Sequence, residues 1–397
     1  MLRSSSRCAR RARITPDFVL KNRLAALLPR PARRALRAAL DWPADRAFAG
    51  RLRASAFQLP TGEPVLSYGA ALTRESGAVV HGGRVKLTHL DRAFSENASA
   101  FNLLYMVSSA IPPHARELVR FAKERGVKFV WNQNGVGFPG WAGADAEDFN
   151  GPMRTLRAQA DFVVYQSRFC QESAERFLGP AHCASEVLYN PVDLAQFCPA
   201  PAPPELETWR LLAAGTHMEA ERVTRAIATL AELRRRGRRA ELTVAGEFRW
   251  SGAASQVSTA IERAGMAEWV RLRPAYSQAE AVALLQGSHV LLHLKYADPC
   301  PTAVVEALAC GVPVVGSRSG GLPELLGEEG SELLEVPASW LVRFYPAADV
   351  VADAVENVMR VWPEASGRAR ARAVRLFGHE PWVCRHGELF HELLRQP

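Results

Sequence analysis

The stretch Asp298-Pro-Cys-Pro-Thr-Ala-Val-Val-Glu306-Ala-Leu-Ala-Cys-Gly311-Val-Pro313-Val-Val brings two acids, a proline-rich loop and a helix start together at regular spacing. An apolar run ending near Leu294 reads as a strand, the loop follows with its acid, and a helix is predicted from about Pro301. Proline is well tolerated at the first helical position. The free N–H groups around it, with the helix dipole, favour an anion such as a diphosphate. Glu306 falls about one turn inside that helix, where its carboxylate could reach the hydroxyls of a ribose while Asp298 sits near the other end of the same ligand. The plain alternative is an ordinary helix start with a surface glutamate.

Elements that could position these residues recur along the chain. The first half predicts strands at 64–70, 102–108, 127–132, 161–166 and 186–189, separated by helices at 84–94, 113–125, 144–160 and 169–178. In the helix over 84–94, Leu87, Leu90 and Phe94 share one face. Pro199, Pro201, Pro203 and Pro204 then interrupt the pattern as a linker. Beyond it, strands are predicted at 209–214, 240–245, 269–273, 289–294 and 312–316. Helices are predicted at 220–236, 255–264, 277–285, 302–310, 322–326, 347–361 and 381–394. Strands alternating with helices imply βαβ units and parallel sheets covered on both faces. The expected organisation is a basic extension over 1–60, an α/β domain over 61–198, a linker over 199–208, a second α/β domain over 209–378, and a C-terminal helix over 379–397 that returns toward the first domain. Two doubly wound domains would face one another across a cleft, with ligand beyond the carboxyl ends of the strands.

Charge narrows the partners. The chain of 397 residues carries +8, but residues 1–60 hold 13 Arg and one Lys against three Asp, a net of +11, and the rest carries −3. A nearly neutral body argues against a nucleic-acid groove. Within the extension Leu20, Leu24, Leu27, Leu28, Leu36 and Leu40 lie among arginines, a composition that suits an anionic membrane surface or a solvated tail. Its Arg, Ser and Ala content also resembles a transit peptide, while no secretory signal core or membrane-spanning run is present in the sequence. Seven scattered cysteines without a C-x-x-C pair fit a reducing compartment, and a cytoplasmic location is expected, peripheral on the inner face of the membrane if the extension binds lipid. Gly215 and Gly246 follow strands without opening a G-x-G-x-x-G, and there is no Walker loop, H-E-x-x-H or G-x-S-x-G.

The acidic pair separated by seven residues, the following Ala-Leu-Ala-Cys-Gly-Val-Pro-Val-Val, and Gly320-Gly321-Leu322-Pro323-Glu324 together resemble the C-terminal signature of the family 4 retaining glycosyltransferases. The similarity spans about residues 64–395, and Asn190-Pro191-Val192-Asp193 before the linker is similar to the family's interdomain segment. The resemblance implies a GT-B fold, two facing Rossmann-like domains with an interdomain cleft, and a metal-independent hexosyl transfer from a nucleotide-sugar co-substrate of unidentified base, with no other cofactor. It implies that Glu306 binds the donor ribose and that Asp298 approaches the donor sugar, standing where the family has the longer Glu. Backbone N–H groups of Thr302 and Ala303 would meet phosphate or sugar oxygens, and Gly320 and Gly321 would allow close approach of the donor, although the pair also reads simply as a turn. Arg222 is the nearest match to the family's diphosphate cation, although it also reads as a surface arginine beside Glu219 and Glu221; the lysine that usually accompanies that cation has no counterpart at the usual spacing. His217 could donate to phosphate. In the first half, Gly82 and Gly83 resemble the glycine pair facing the diphosphate. Asn134 stands about where many members present a His; an amide can bind sugar hydroxyls but cannot serve as a general base, and Asn134-Gly135 also reads as a turn. Phe138 to Trp141 would offer an aromatic platform to an acceptor.

The expected activity is retaining transfer of a sugar to a hydroxyl of a glycan or lipid-linked acceptor. The competing readings are a non-catalytic nucleotide-sugar-binding homologue, a nucleotide-sugar epimerase on the same fold, and a basic membrane adaptor.

Overall fold

The computed structural model describes residues 29–69, 83–202, 204–327 and 330–396. Gly82, Leu20, Leu24, Leu27 and Leu28 therefore lie outside the described residues. The chain divides into two compact units, 1–55 and 56–397. In the first, helix α1 (Arg30–Ala54) has Pro31 in its first turn, and Leu40 and Trp42 on it are more than half exposed.

The second unit holds two sheets. The first contains β1 (Leu66–Ser67), β2 (Leu103–Val107), β3 (Lys128–Gln133), β4 (Phe162–Tyr165) and β5 (Ala184–Val187), interleaved with α2 (Gly83–Ala93), α3 (Ala115–Glu124), α4 (Pro139–Ala142), α5 (Ala146–Arg157) and α6 (Arg168–Leu178). These strands lie in chain order, every neighbouring pair parallel. The second contains β6 (Trp209–Ala214), β7 (Ala240–Ala245), β8 (Val270–Arg273), β9 (Val290–His293), β10 (Val314–Ser317) and β11 (Glu332–Leu334). Between and after them run α7 (Ala220–Arg235), α8 (Ala253–Ala264), α9 (Gln278–Gln286), α10 (Thr302–Ala309), α11 (Leu322–Leu326), α12 (Ala348–Arg360), α13 (Trp362–Leu376) and α14 (His379–Arg395). Its order is β11-β10-β9-β6-β7-β8, again parallel, so the winding reverses between β9 and β6. Adjacent βα connections there diverge to opposite faces and leave a crevice at the carboxyl ends of these two strands.

Burial follows from composition. The central strands β2, β4, β9 and β10 are buried along their whole length, as parallel strands covered on both faces require. Two elements have no strong sequence signal. The reading ends a helix at 361, but α13 continues from Trp362 with a buried face of Ala365, Ala369 and Ala373, small residues that give little apolar contrast among its arginines. Strand β11 is only three residues long.

The last helix belongs to the first sheet's core. Trp382, Leu389, Phe390 and Leu393 of α14 pack with Leu66, Leu87, Leu103 and Val164, and His386 Nε2 lies 3.0 Å from the Tyr105 hydroxyl. The crossing is pinned where the Val192 amide donates to Phe377 O at 2.7 Å and the His379 amide to Val192 O at 3.0 Å.

Candidate functional site

The crevice between β6 and β9 opens into a cavity of about 240 Å³. Gly215 and Gly246 end β6 and β7 at φ +109° and +121°, a region that favours glycine. A Cβ on Gly246 would stand 2.1 Å from Gly215 O, so the two chain reversals are nested and the strand ends are left open to the cavity.

Arg222 reaches into this cavity from the first turn of α7. Its guanidinium is buried and donates to Ala214 O at 2.5 Å and Thr216 O at 3.3 Å, while Nε has no partner. No carboxylate pairs with it among the described residues, so a buried positive charge faces the cavity; burial lowers its pKa, and Asp298 heads the charges that oppose the shift. Across the cavity α10 begins after Pro301, and no side chain caps it. Thr302 and Ala303, with Pro301, line the wall, and N–H groups of the first turn lack intrahelical acceptors. Glu306 is buried one turn further in. Burial pushes its carboxyl up to about 7, opposed by the hydrogen bond from Gln278 Nε2 at 3.2 Å.

The acid-bearing loop is held by several contacts. Asp298 Oδ2 lies 3.0 Å from Lys295 Nζ and 3.4 Å from His293 Nε2. Burial alone would raise this carboxyl, but the Lys295 ammonium and the histidine hold it well below the usual range. Burial lowers the His293 pKa, opposed by its contact with Asp298. Ala297 adopts φ +52°, an unusual conformation for a residue with a side chain, and its amide donates to Ser319 Oγ at 3.0 Å. Lys295 therefore brings to the site a second cation, from the end of β9, that the reading around Arg222 misses.

Gly320 and Gly321 do not line this cavity or its neighbour, in contrast to the expectation that they meet the donor. A Cβ on Gly320 would lie 2.4 Å from Asp298 O, and one on Gly321 2.0 Å from Pro299 O, while the Gly321 amide donates to Asp298 O at 2.9 Å. The pair is packed under the acid loop. His217 is corrected for a similar reason: its ring is fully buried beside Phe248, and Nε2 lies 3.1 Å from Ala245 O. Burial, then Arg222, lowers it to about 3, so it is neutral and turned away from the cavity.

A second cavity of about 570 Å³ adjoins the first, and Lys295, Asp298, Pro301 and Thr302 line both. Gly83 and Asn134 lie on it. A Cβ on Gly83 would meet Val107 Cγ1 at 2.9 Å, so only glycine lets α2 start this close to β2. Asn134 is already engaged: Oδ1 accepts from Lys86 Nζ at 2.6 Å, and Nδ2 donates to Ser109 Oγ at 2.6 Å. Lys86 is a residue the sequence reading does not single out. It is buried and also donates to Asn132 Oδ1 at 2.6 Å and Gln166 Oε1 at 3.3 Å, with burial lowering it to about 8. Its signal is a lone lysine on the apolar face shared by Leu87 and Leu90.

Comparison with known proteins agrees with this geometry. Residues 202–366 match the family model of glycosyl transferases group 1. Over 249 residues the chain is 26% identical to glycogen synthase of Mycobacterium tuberculosis, covering 61% of this chain and 56% of that one. Over 109 residues it is 29% identical to D-inositol 3-phosphate glycosyltransferase of Segniliparus rotundus, covering 27% of this chain and 24% of that protein. The matches thus span from a quarter to just over half of these relatives. Among solved structures, Anabaena HepE in complex with UDP and glucose superposes with a TM-score of 0.67 at 14% identity, over 83% of this chain and 99% of that one. Sucrose-phosphate synthase from Thermosynechococcus elongatus gives 0.63 at 15% identity, over 79% and 77%. The fold is GT-B. Within a GT-B frame the two cavities occupy the cleft between the sheets, and the matched family segment contains Arg222, Lys295, Asp298 and Glu306.

Proposed function

We propose that the chain is a retaining glycosyltransferase of the family 4 type, moving a hexosyl group from a nucleotide-diphosphate sugar to a hydroxyl of a glycan or lipid-linked acceptor. The observation that carries this reading is the convergence on one cavity of a buried, carboxylate-free guanidinium (Arg222), an uncapped helix start (Thr302, Ala303) and a buried carboxyl (Glu306). A diphosphate placed there meets the amides of α10 and the charges of Arg222 and Lys295, which stabilise it as the anomeric C–O bond breaks. Those positive groups supply the charge neutralisation a metal ion would otherwise provide. Glu306 accepts from ribose hydroxyls, and Asp298, near the junction of the cavities, faces the positive charge that develops on the sugar ring. No protein nucleophile takes part: the acceptor hydroxyl enters from the second cavity, its oxygen bonds to the anomeric carbon as the bond to the diphosphate breaks, and its proton passes to the departing diphosphate oxygen.

The test is a panel of UDP-, GDP- and ADP-sugars followed by thermal shift and by release of free nucleoside diphosphate; the UDP complexes of HepE make UDP-sugars the first to try. One base should raise Tm selectively, because a ligand bound to the native state alone adds stability, and its sugar nucleotide should be consumed. Binding without release would indicate a non-catalytic homologue, and isomerised sugar without acceptor an epimerase.

We place the enzyme at the inner membrane face of the cytoplasm. The support is α1, where Leu40 (51% exposed) and Trp42 (58% exposed) accompany several arginines. No described helix is long and apolar enough to cross a membrane. Full-length protein should co-sediment with vesicles containing phosphatidylglycerol and lose this on deletion of residues 1–55, since each basic residue near such a surface contributes about 1 kcal/mol. Equal sedimentation of both forms would remove the assignment.

A further inference from the structure

The second cavity combines polar and apolar lining. Lys295 and Asp298 are shared with the first cavity, Ser108, Ser109, Asn134, Gln166 and Ser173 add further polar groups, and Phe138, Trp141, Phe149, Met153 and Phe169 supply an aromatic and apolar stretch of wall. Phe149 is 46% exposed although it stands on a cavity wall, and its ring lies 5.2 Å from that of Trp141. These five side chains offer no carboxylate, amide or hydroxyl to a ligand. A ligand rich in hydroxyls would lose its water there without replacement, at a cost of roughly 1–3 kcal/mol for each unpaired group. One polar group does await a partner: Asn190 Oδ1 is buried without a hydrogen bond, while its Nδ2 donates to Cys300 O at 2.7 Å. An amide oxygen in that position accepts a hydrogen bond from a ligand hydroxyl.

We propose that this cavity binds an acceptor whose hydroxyl-bearing head carries a directly attached apolar group, alkyl or aryl. The head lies toward Asp298 and Asn190, and the apolar group rests on Trp141, Phe149 and Met153. The assignment rests on the glycosyltransferase reading for the role of the head, but the binding preference stands on the cavity's own walls. It distinguishes this site from one built for an unsubstituted glycan chain, whose every residue would bring three or more hydroxyls to those walls.

The experiment is calorimetric titration of the full chain with a free monosaccharide, an unsubstituted oligosaccharide of the same sugar, its short-chain alkyl glycosides below their micellar concentrations, and its phenyl glycoside. The glycosides should bind at least tenfold more tightly than the free sugar. Affinity that grows with alkyl length identifies a lipid tail, and a preference for phenyl an aromatic one; either supports the proposal. Phe149→Asp should remove most of the difference between glycoside and free sugar, and Phe149→Leu should retain it. Equal or tighter binding of the oligosaccharide overturns the proposal, as does an unchanged ranking in a folded Phe149→Asp variant. Failure to consume any nucleotide sugar would instead overturn the transferase reading, and the titration would still decide this one.

Discussion

Arg222→Met is expected to lower turnover by about 10²–10³-fold, the usual cost of removing one group aimed at developing negative charge. The guanidinium is buried among carbonyls, with Ala214 O and Thr216 O fixing its plane and no direct ion pair to a carboxylate among the described residues. A charge held this way costs no reorganisation when the diphosphate departs. Methionine approximates the stem but leaves those carbonyls without a donor, which should also destabilise the fold by about 1–3 kcal/mol. Steady-state kinetics must therefore be paired with a melting curve. Arg222→Lys should recover part of the rate, because one ammonium cannot satisfy both carbonyls and the ligand. Turnover within a factor of three of the parent, in a folded Met variant, would exclude Arg222 from the leaving-group site.

Glu306→Gln should separate stability from activity. Burial lifts the Glu306 carboxyl from 4.5 to about 7. Between those values the native state binds more protons than the unfolded state, so this group's contribution is present below about pH 4.5 and is lost as pH rises through about 7. The lost stability is on the order of 3 kcal/mol at pH 8. Glutamine keeps the shape without the charge, so the ligand-free variant should melt several degrees higher than the parent at pH 8 and close to it at pH 4.5. Donor binding should move the other way, with KM for the nucleotide sugar raised roughly 10–100-fold at pH 8, the range for losing a charged hydrogen-bond acceptor. In the parent, donor KM should fall as pH rises through 7, and in the variant that step should vanish. A variant no more stable than the parent at pH 8 would show that Glu306 is not held in the buried, neutral-leaning state.

The parts of this site that were legible in the sequence are those whose chemistry depends on the backbone. The proline-rich entry to α10 and the Asp298 to Glu306 spacing announce a helix start beside acids, and the alternation of apolar runs with helices announces parallel sheets. Residues that act through tertiary placement were harder to see. Lys86 is a lone lysine on an apolar helix face, and His293 and Lys295 are single polar residues at the end of an apolar strand that the following loop folds against Asp298. Asn134 was read as an amide facing a sugar, yet Lys86 and Ser109 already hold its side chain. His217 and the Gly320-Gly321 pair were read as ligand contacts from their positions in the chain. The structure instead buries the ring and packs the glycines under a strained loop, because a short turn can point inward as easily as outward.

The strap at 337–345 ties the two halves of the cleft together. Gly140, in the turn that carries Trp141, donates its amide to Trp340 O at 2.7 Å and accepts at its carbonyl from Arg343 Nε at 2.7 Å. Trp340 is enclosed by Phe138, Phe169 and Phe177, each ring centre 5.2 Å away. Arg343 also grips Glu219 at 2.5 Å, at the start of the helix that carries Arg222. Gly140 sits between Phe138 and Trp141, which line the larger cavity, and Glu219 precedes the helix that carries Arg222 of the smaller one, so Arg343 spans from one neighbourhood to the other. A ligand that pushes the aromatic turn outward must either draw Arg343 off Glu219 or carry the root of α7 with it. Tyr345 of the same strap also donates to Glu219, so the two compartments are tied through this segment, and by thermodynamic reciprocity any factor by which a ligand on the aromatic side changes affinity on the Arg222 side must apply equally in the other direction.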